Sequence, residues 1–103
     1  MIIAVLGDYA SANYTKLRDR VIALFPHEDV RDFSLHQNPN WKKGAESRLS
    51  EIQAASLVII CDDWQDHIDV IHDINESQKI HKECFIDFNG QFLPFPEYSR
   101  RKS

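Results

Sequence analysis

The chain has 103 residues, 43% hydrophobic and 27% charged, with a net charge of −4. One domain with one core fits that length. Residues 99–103, SRRKS, carry three positive charges, so the body stands near −7. That excludes nonspecific nucleic-acid binding by the body, which needs a basic surface. No apolar run approaches the ~20 residues of a membrane span, and the start MIIAVLGDY has no basic region and is too short for a signal peptide. A cytoplasmic domain over residues 1–98 with a basic tail over 99–103 is the expectation.

Residues 2–6, IIAVL, are a continuous apolar run ending at Gly7, as in a strand buried on both faces. Tyr14, Leu17, Val21, Leu24 and Phe25 then recur at helical spacing, with Ser11 or Asn13 as cap and Pro26 as stop. Val30, Phe33 and Leu35 mark a short strand. HQNPNWKKG reads as a polar loop, and AESRLSEIQAA as a helix burying Ala45, Leu49, Ile52 and Ala55. SLVIIC, residues 56–61, is the strongest strand. QDHIDVIHDINESQKIHK is helical through Ile68, Ile71, Ile74 and Val70. CFIDF is a strand, and Asn89-Gly90 is a two-residue hairpin signal leading into QFLPF.

This alternation predicts a small α/β, doubly wound, Rossmann-like sheet: about four mostly parallel strands with a C-terminal β-hairpin. Strands 2–6 and 57–61 are expected as neighbours in its interior. Ligands of such sheets bind beyond the carboxyl ends of the strands, where the strand order reverses. Residues 61–75, CDDWQDHIDVIHDIN, fall there with five aspartates and two histidines.

A metal is a weak reading of that stretch. His67 and His72 are five apart, which splays them around a helix, and the glycine of a calcium loop is missing. Helix-start chemistry explains Asp66 and Asp69, since acids favour the first turn and Asp66 can cap. It does not explain Asp73, nearly two turns in and four residues beyond Asp69. Cys61 and Cys84 read as buried reduced thiols. No P-loop, nucleophile elbow or dinucleotide glycine pattern is present, so no cofactor is expected.

Asn38-Pro39, then RLSEIQAASLVIICDDW, then a helix resembles the small bacterial and phage domains related to nucleoside 2-deoxyribosyltransferases. Their pattern places N-P after the second strand and W-x-x-S-x-G-A-x-x-E after the third. The resemblance runs over residues 2–88. Trp64 holds the tryptophan position and Asp73 the final acid, while His67, Asp69 and Val70 replace the serine, glycine and alanine. It implies a nucleoside or nucleotide ligand, with Asp73 in the place of the nucleophile on the sugar anomeric carbon and Asp62 or Asp69 orienting the sugar. Gly7 would be the glycine after strand one, with Asp8 and Tyr9 at a ribose hydroxyl or base, and Trp64 and Trp41 as pocket walls. Asp73 is one methylene shorter than glutamate, and a ~1 Å misplacement costs on the order of 100-fold in rate. Two readings stay open: an N-glycosidic-bond-cleaving enzyme, or a domain that keeps the fold with its activity degraded and serves binding or protein–protein interaction. The related transferases assemble, so the resemblance also implies a homo-oligomer, with FLPFPEY, residues 92–98, as a contact surface.

Overall fold

The computed structural model describes residues 1–34 and 39–102. As far as the hairpin its elements follow the expected order: β1 (Ile2–Leu6), α1 (Ala12–Leu24), β2 (Asp29–Asp32), α2 (Trp41–Ala54), β3 (Leu57–Ile60), α3 (Ile68–Lys79), β4 (Cys84–Phe88) and β5 (Gln91–Pro94); a further helix that the sequence reading does not anticipate, α4 (Phe95–Lys102), follows. The five strands lie in the order β2-β1-β3-β4-β5, parallel except for the β4–β5 hairpin. The two continuous apolar strands are the interior neighbours expected, with Ile3 opposite Leu57 and Leu6 opposite Ile60. The hairpin turns through Asn89 and Gly90, both at positive φ. This is a small Rossmann-like α/β domain.

The chain leaves β1 for β2 in one direction and returns past β1 to β3 and β4 in the other. Right-handed crossovers then put α1 on one face of the sheet and α2 and α3 on the opposite face. The order therefore reverses between β1 and β3, and the loops after those strands meet there.

Local chemistry sets the helix ends. Ser11 caps α1 by accepting from the Tyr14 N–H at 3.1 Å. α2 begins at Trp41, four residues before the sequence suggests, because Asn40 accepts from the Lys43 N–H at 3.2 Å and so carries Gly44 into the helix. α3 also departs from expectation. A 3-10 turn over Trp64–Asp66 precedes it, and His67, not Asp66, takes the cap position without a capping side-chain bond. Its buried stripe is Val70, Asp73, Ile74 and Ser77, while Ile68 is 77% exposed. α3 closes with His81 at positive φ; the His81 N–H donates to the Gln78 carbonyl and the Lys82 N–H to that of Ser77, both at 3.0 Å. Pro94 ends β5, and Pro96 sits in the first turn of α4, where its missing N–H costs nothing. α4 takes in most of the basic tail. Phe33 is buried beyond β2, while Leu35 and Asn38 lie outside the described residues. No helix among the described residues is long and apolar enough to cross a membrane.

Candidate functional site at the reversal of strand order

Two layers of polar groups occupy the junction of β1 and β3. The upper one is a rim. Gly7 follows β1 so closely against Cys61 that a Cβ on it would stand 2.6 Å from the Cys61 Cβ. Glycine is required there by space. The tight approach lets Asp63 reach across: it accepts from the Asp8 N–H at 3.3 Å and from the Ser11 hydroxyl at 3.2 Å. Asp8 lies 3.0 Å from His67 Nε2 and accepts from the Ala10 N–H at 3.3 Å. Asp69 accepts from the Val70 N–H at 3.0 Å at the start of α3. Asp8, Asp63, His67 and Asp69 are each half-buried.

The lower layer is fully inside. Asp73 is 1% exposed. Its Oδ2 accepts from the Tyr9 hydroxyl at 2.8 Å and from Arg48 Nε at 2.5 Å, and its Oδ1 lies 3.2 Å from His72 Nδ1. The Arg48 guanidinium also lies 5.4 Å over the Tyr9 ring, and its Nη2 is buried without a hydrogen-bond partner. Burial raises the Tyr9 hydroxyl well above its ordinary pKa, and the Asp73 charge adds to the rise. Burial is the largest single influence on Arg48 and lowers its pKa, but the bond to Asp73 and the nearby Asp73, Tyr9 and Asp69 charges together outweigh it and the net shift is upward. Arg48 stands on the buried stripe of α2 with Ala45 and Ile52, opposite the stripe of α3 that holds Asp73. Sequence reading passed over Arg48. Its signal was available: a charge spaced i+3 from Ala45 and i−4 from Ile52, on a helix preceding one with an unexplained aspartate at matching spacing.

The structure thus brings Tyr9 and Asp73 together, with Asp8 and Asp69 on the rim. It does not bring Asp62 or Trp64 to Asp73. Asp62 is exposed and lines a separate cavity of about 270 Å³ with Asn13, Lys16, Arg20 and Asp87, on the α1 side. Trp64 packs edge-on against Phe95, centroids 5.3 Å apart. Trp41 is half exposed and touches the His72 ring at 5.1 Å, in a depression between α2 and α3. Cys61, Asp62 and Asp63 place one donor atom each within 4.8 Å of one another. Burial pushes the Cys61 thiol up to about 12. Cys84 is also buried, its thiol raised to about 11 by burial.

Chemically, the lower layer binds charge and the upper layer offers acceptors. Asp73 has both oxygens engaged and no open side, so in this arrangement it cannot attack a carbon at near-attack distance. The rim presents carboxylates suited to accept from hydroxyl or amino donors. Comparison with known proteins gives no match: no family model, no curated protein and no solved structure is similar to the chain. Fold and site define an α/β domain with a polar site at the reversal of its strand order.

Proposed function

We propose that the protein binds a nucleoside-like ligand at the junction of β1 and β3 without cleaving it. The observation that carries this reading is the buried Tyr9–Asp73–Arg48 network. Burying an ion pair there brings no advantage in stability over apolar packing of the same volume. Charged groups buried just beneath the half-buried rim carboxylates, at the place where ligands of doubly wound sheets bind, support a site there. The resemblance to the deoxyribosyltransferase-related domains supports the same ligand class. By that resemblance Asp73 would take the nucleophile's part, but its partners hold both oxygens, which argues for binding over N-glycosidic cleavage.

The rim favours an uncharged nucleoside over a nucleotide. Asp8, Asp63 and Asp69 crowd the starts of α1 and α3, where a phosphate would otherwise find free N–H donors. Sugar hydroxyls can donate to the same carboxylates. Thermal unfolding with a panel of deoxynucleosides and their monophosphates tests the reading, with chromatography of the mixtures for free base. A binding nucleoside at one hundred times its Kd stabilises by ~2.7 kcal/mol, a readily measured rise in Tm. No rise across the panel at millimolar concentration would reject the ligand class; release of free base would reject the non-cleaving role.

A further inference from the structure

A polar cavity lies on the α1 side of the sheet, and none of the rim residues Asp8, Asp63, His67 and Asp69 lines it. α1 packs toward β2. Its far flank and the carboxyl ends of β3 and β4 therefore stand apart, around a space of about 270 Å³. Leu17 and Cys61, both buried, give that space an apolar lining. The rest of its wall carries two cations, Lys16 and Arg20, and two carboxylates, Asp62 and Asp87.

The four charges are not equivalent. Arg20 and Asp87 satisfy each other at 2.5 Å, with the guanidinium 5.3 Å over the Phe92 ring. Lys16 and Asp62 line the same cavity, yet among the described residues neither forms an ion pair, with the other or with a third group. The one contact of the Asp62 carboxylate is the weak thiol donor of Cys61 at 3.6 Å. The cavity thus sums to zero charge and keeps one unpaired charge of each sign. An anion would gain Lys16 but be repelled by Asp62, and a cation would meet the reverse. A molecule carrying both signs satisfies both.

Apolar surface continues from the charged end. Phe85 and Asp87 are two apart on β4 and share a face, and Phe92 stands opposite Asp87 on β5. A smaller apolar cavity of about 170 Å³, beside Leu57, Phe85 and Phe92, follows on that face. Phe92 alone among the aromatics of FLPFPEY lies here, since Phe95 and Tyr98 are buried in the chain's own core. We propose that the charged cavity binds a free α-amino acid with an apolar side chain. Asp62 holds the ammonium group, Lys16 holds the carboxylate, and the side chain lies along Leu17 toward Phe92. The space is below the ~300–1,000 Å³ of sites for drug-sized ligands, which suits a single amino acid. A charged side chain would add an unmatched charge where the protein's own charges cancel. This site is independent of nucleoside binding at the rim.

Thermal unfolding of the intact chain with millimolar L-leucine and L-phenylalanine, followed by calorimetric titration, tests this. Both should raise Tm. Their amides lack the carboxylate and their N-acetyl derivatives lack the ammonium group. Each blocked form should bind at least about tenfold more weakly than its parent, the effect of losing one charged hydrogen bond. Glutamate and lysine should also bind more weakly than leucine. Lys16→Gln should erase the advantage of the free amino acid over its amide, and Asp62→Asn its advantage over the N-acetyl form. Both positions are exposed, so circular dichroism should stay that of wild type. Should a variant unfold, the blocked forms measured on wild type decide. No rise in Tm with either amino acid would overturn the proposal. So would a blocked form that binds as tightly as its parent, or wild-type affinity in both variants.

Discussion

Asp63 and Asp73 stand ten residues apart in one acidic stretch, yet they sit in different electrical worlds. Asp63 is at the rim, half-buried, accepting from one N–H and one hydroxyl that water could serve almost as well. Asp73 is inside, held by a tyrosine, an arginine and a histidine. A carboxylate at the rim can lose its partners at little cost. One in the interior depends on every partner, because nothing else there can solvate it. The difference separates the part of the site that can meet a ligand from the part that fixes the geometry beneath it.

The largest expected effect comes from breaking the interior pair on one side. Arg48→Met should destabilise by about 3–5 kcal/mol, because it leaves Asp73 buried without its cation. Against the ~5–15 kcal/mol that holds a small domain together, that lowers Tm by more than 10 °C. The triple variant Tyr9→Phe, Arg48→Met, Asp73→Leu removes all three polar groups at once and should recover most of the loss. Urea unfolding of both variants checks this. A single variant as stable as wild type would mean the pair contributes no interior constraint.

Alkaline pH probes the same interior without mutation. Burial raises the Tyr9 and Tyr14 hydroxyls, and it raises the Cys61 and Cys84 thiols from 9.0 to about 12 and about 11. Each group stays protonated in the fold and ionises more readily once unfolded. Above about pH 9 the folded chain binds more protons than the unfolded one, so stability falls as pH rises; below that the contribution is complete. Urea midpoints should hold level up to about pH 9 and fall from there to about pH 11. A flat profile would contradict the burial of these four groups.

At the boundary between rim and interior, Gly7→Ala should cost about 1–3 kcal/mol by overpacking. The added methyl meets the Cys61 Cβ at 2.6 Å and the Tyr14 ring at 3.0 Å, and a Cβ cannot rotate away as a flexible side-chain end could. The readout is again the urea midpoint, and an unchanged value would mean that the two loops separate freely.

The architecture was legible because its signals are local and strong. IIAVL and LVII are uninterrupted apolar runs, Ser11 is a ready cap, and Asn89-Gly90 fits only a tight turn. The start of α3 was not legible. Ile68 satisfies the apolar spacing as well as Val70 does, and only the 3-10 turn before the helix rotates Ile68 outward and Asp73 inward. Arg48 escaped for a related reason. A charge reads as solvent-facing until its partner is known, and Asp73 lies 25 residues away on another helix. The site's floor is thus a property of two helices together, and neither helix announces it alone.

The smallest expected effect returns to the rim. Asp63→Ala removes two acceptor bonds, but Ser11 still caps α1 through the Tyr14 N–H, and the Asp8 N–H becomes open to water. The cost should be about 0.5–1 kcal/mol, several times below that of Arg48→Met. Ligand preference should move more than stability. Two unit charges ~6 Å apart in water interact by roughly 0.7 kcal/mol, about threefold in affinity. Removing the Asp63 charge should therefore raise affinity for a deoxynucleoside monophosphate roughly threefold or more relative to the deoxynucleoside. Calorimetric titration of both ligands against wild type and variant measures the ratio. A ratio that does not move would take Asp63 out of ligand selection and leave it as a clasp between the two loops.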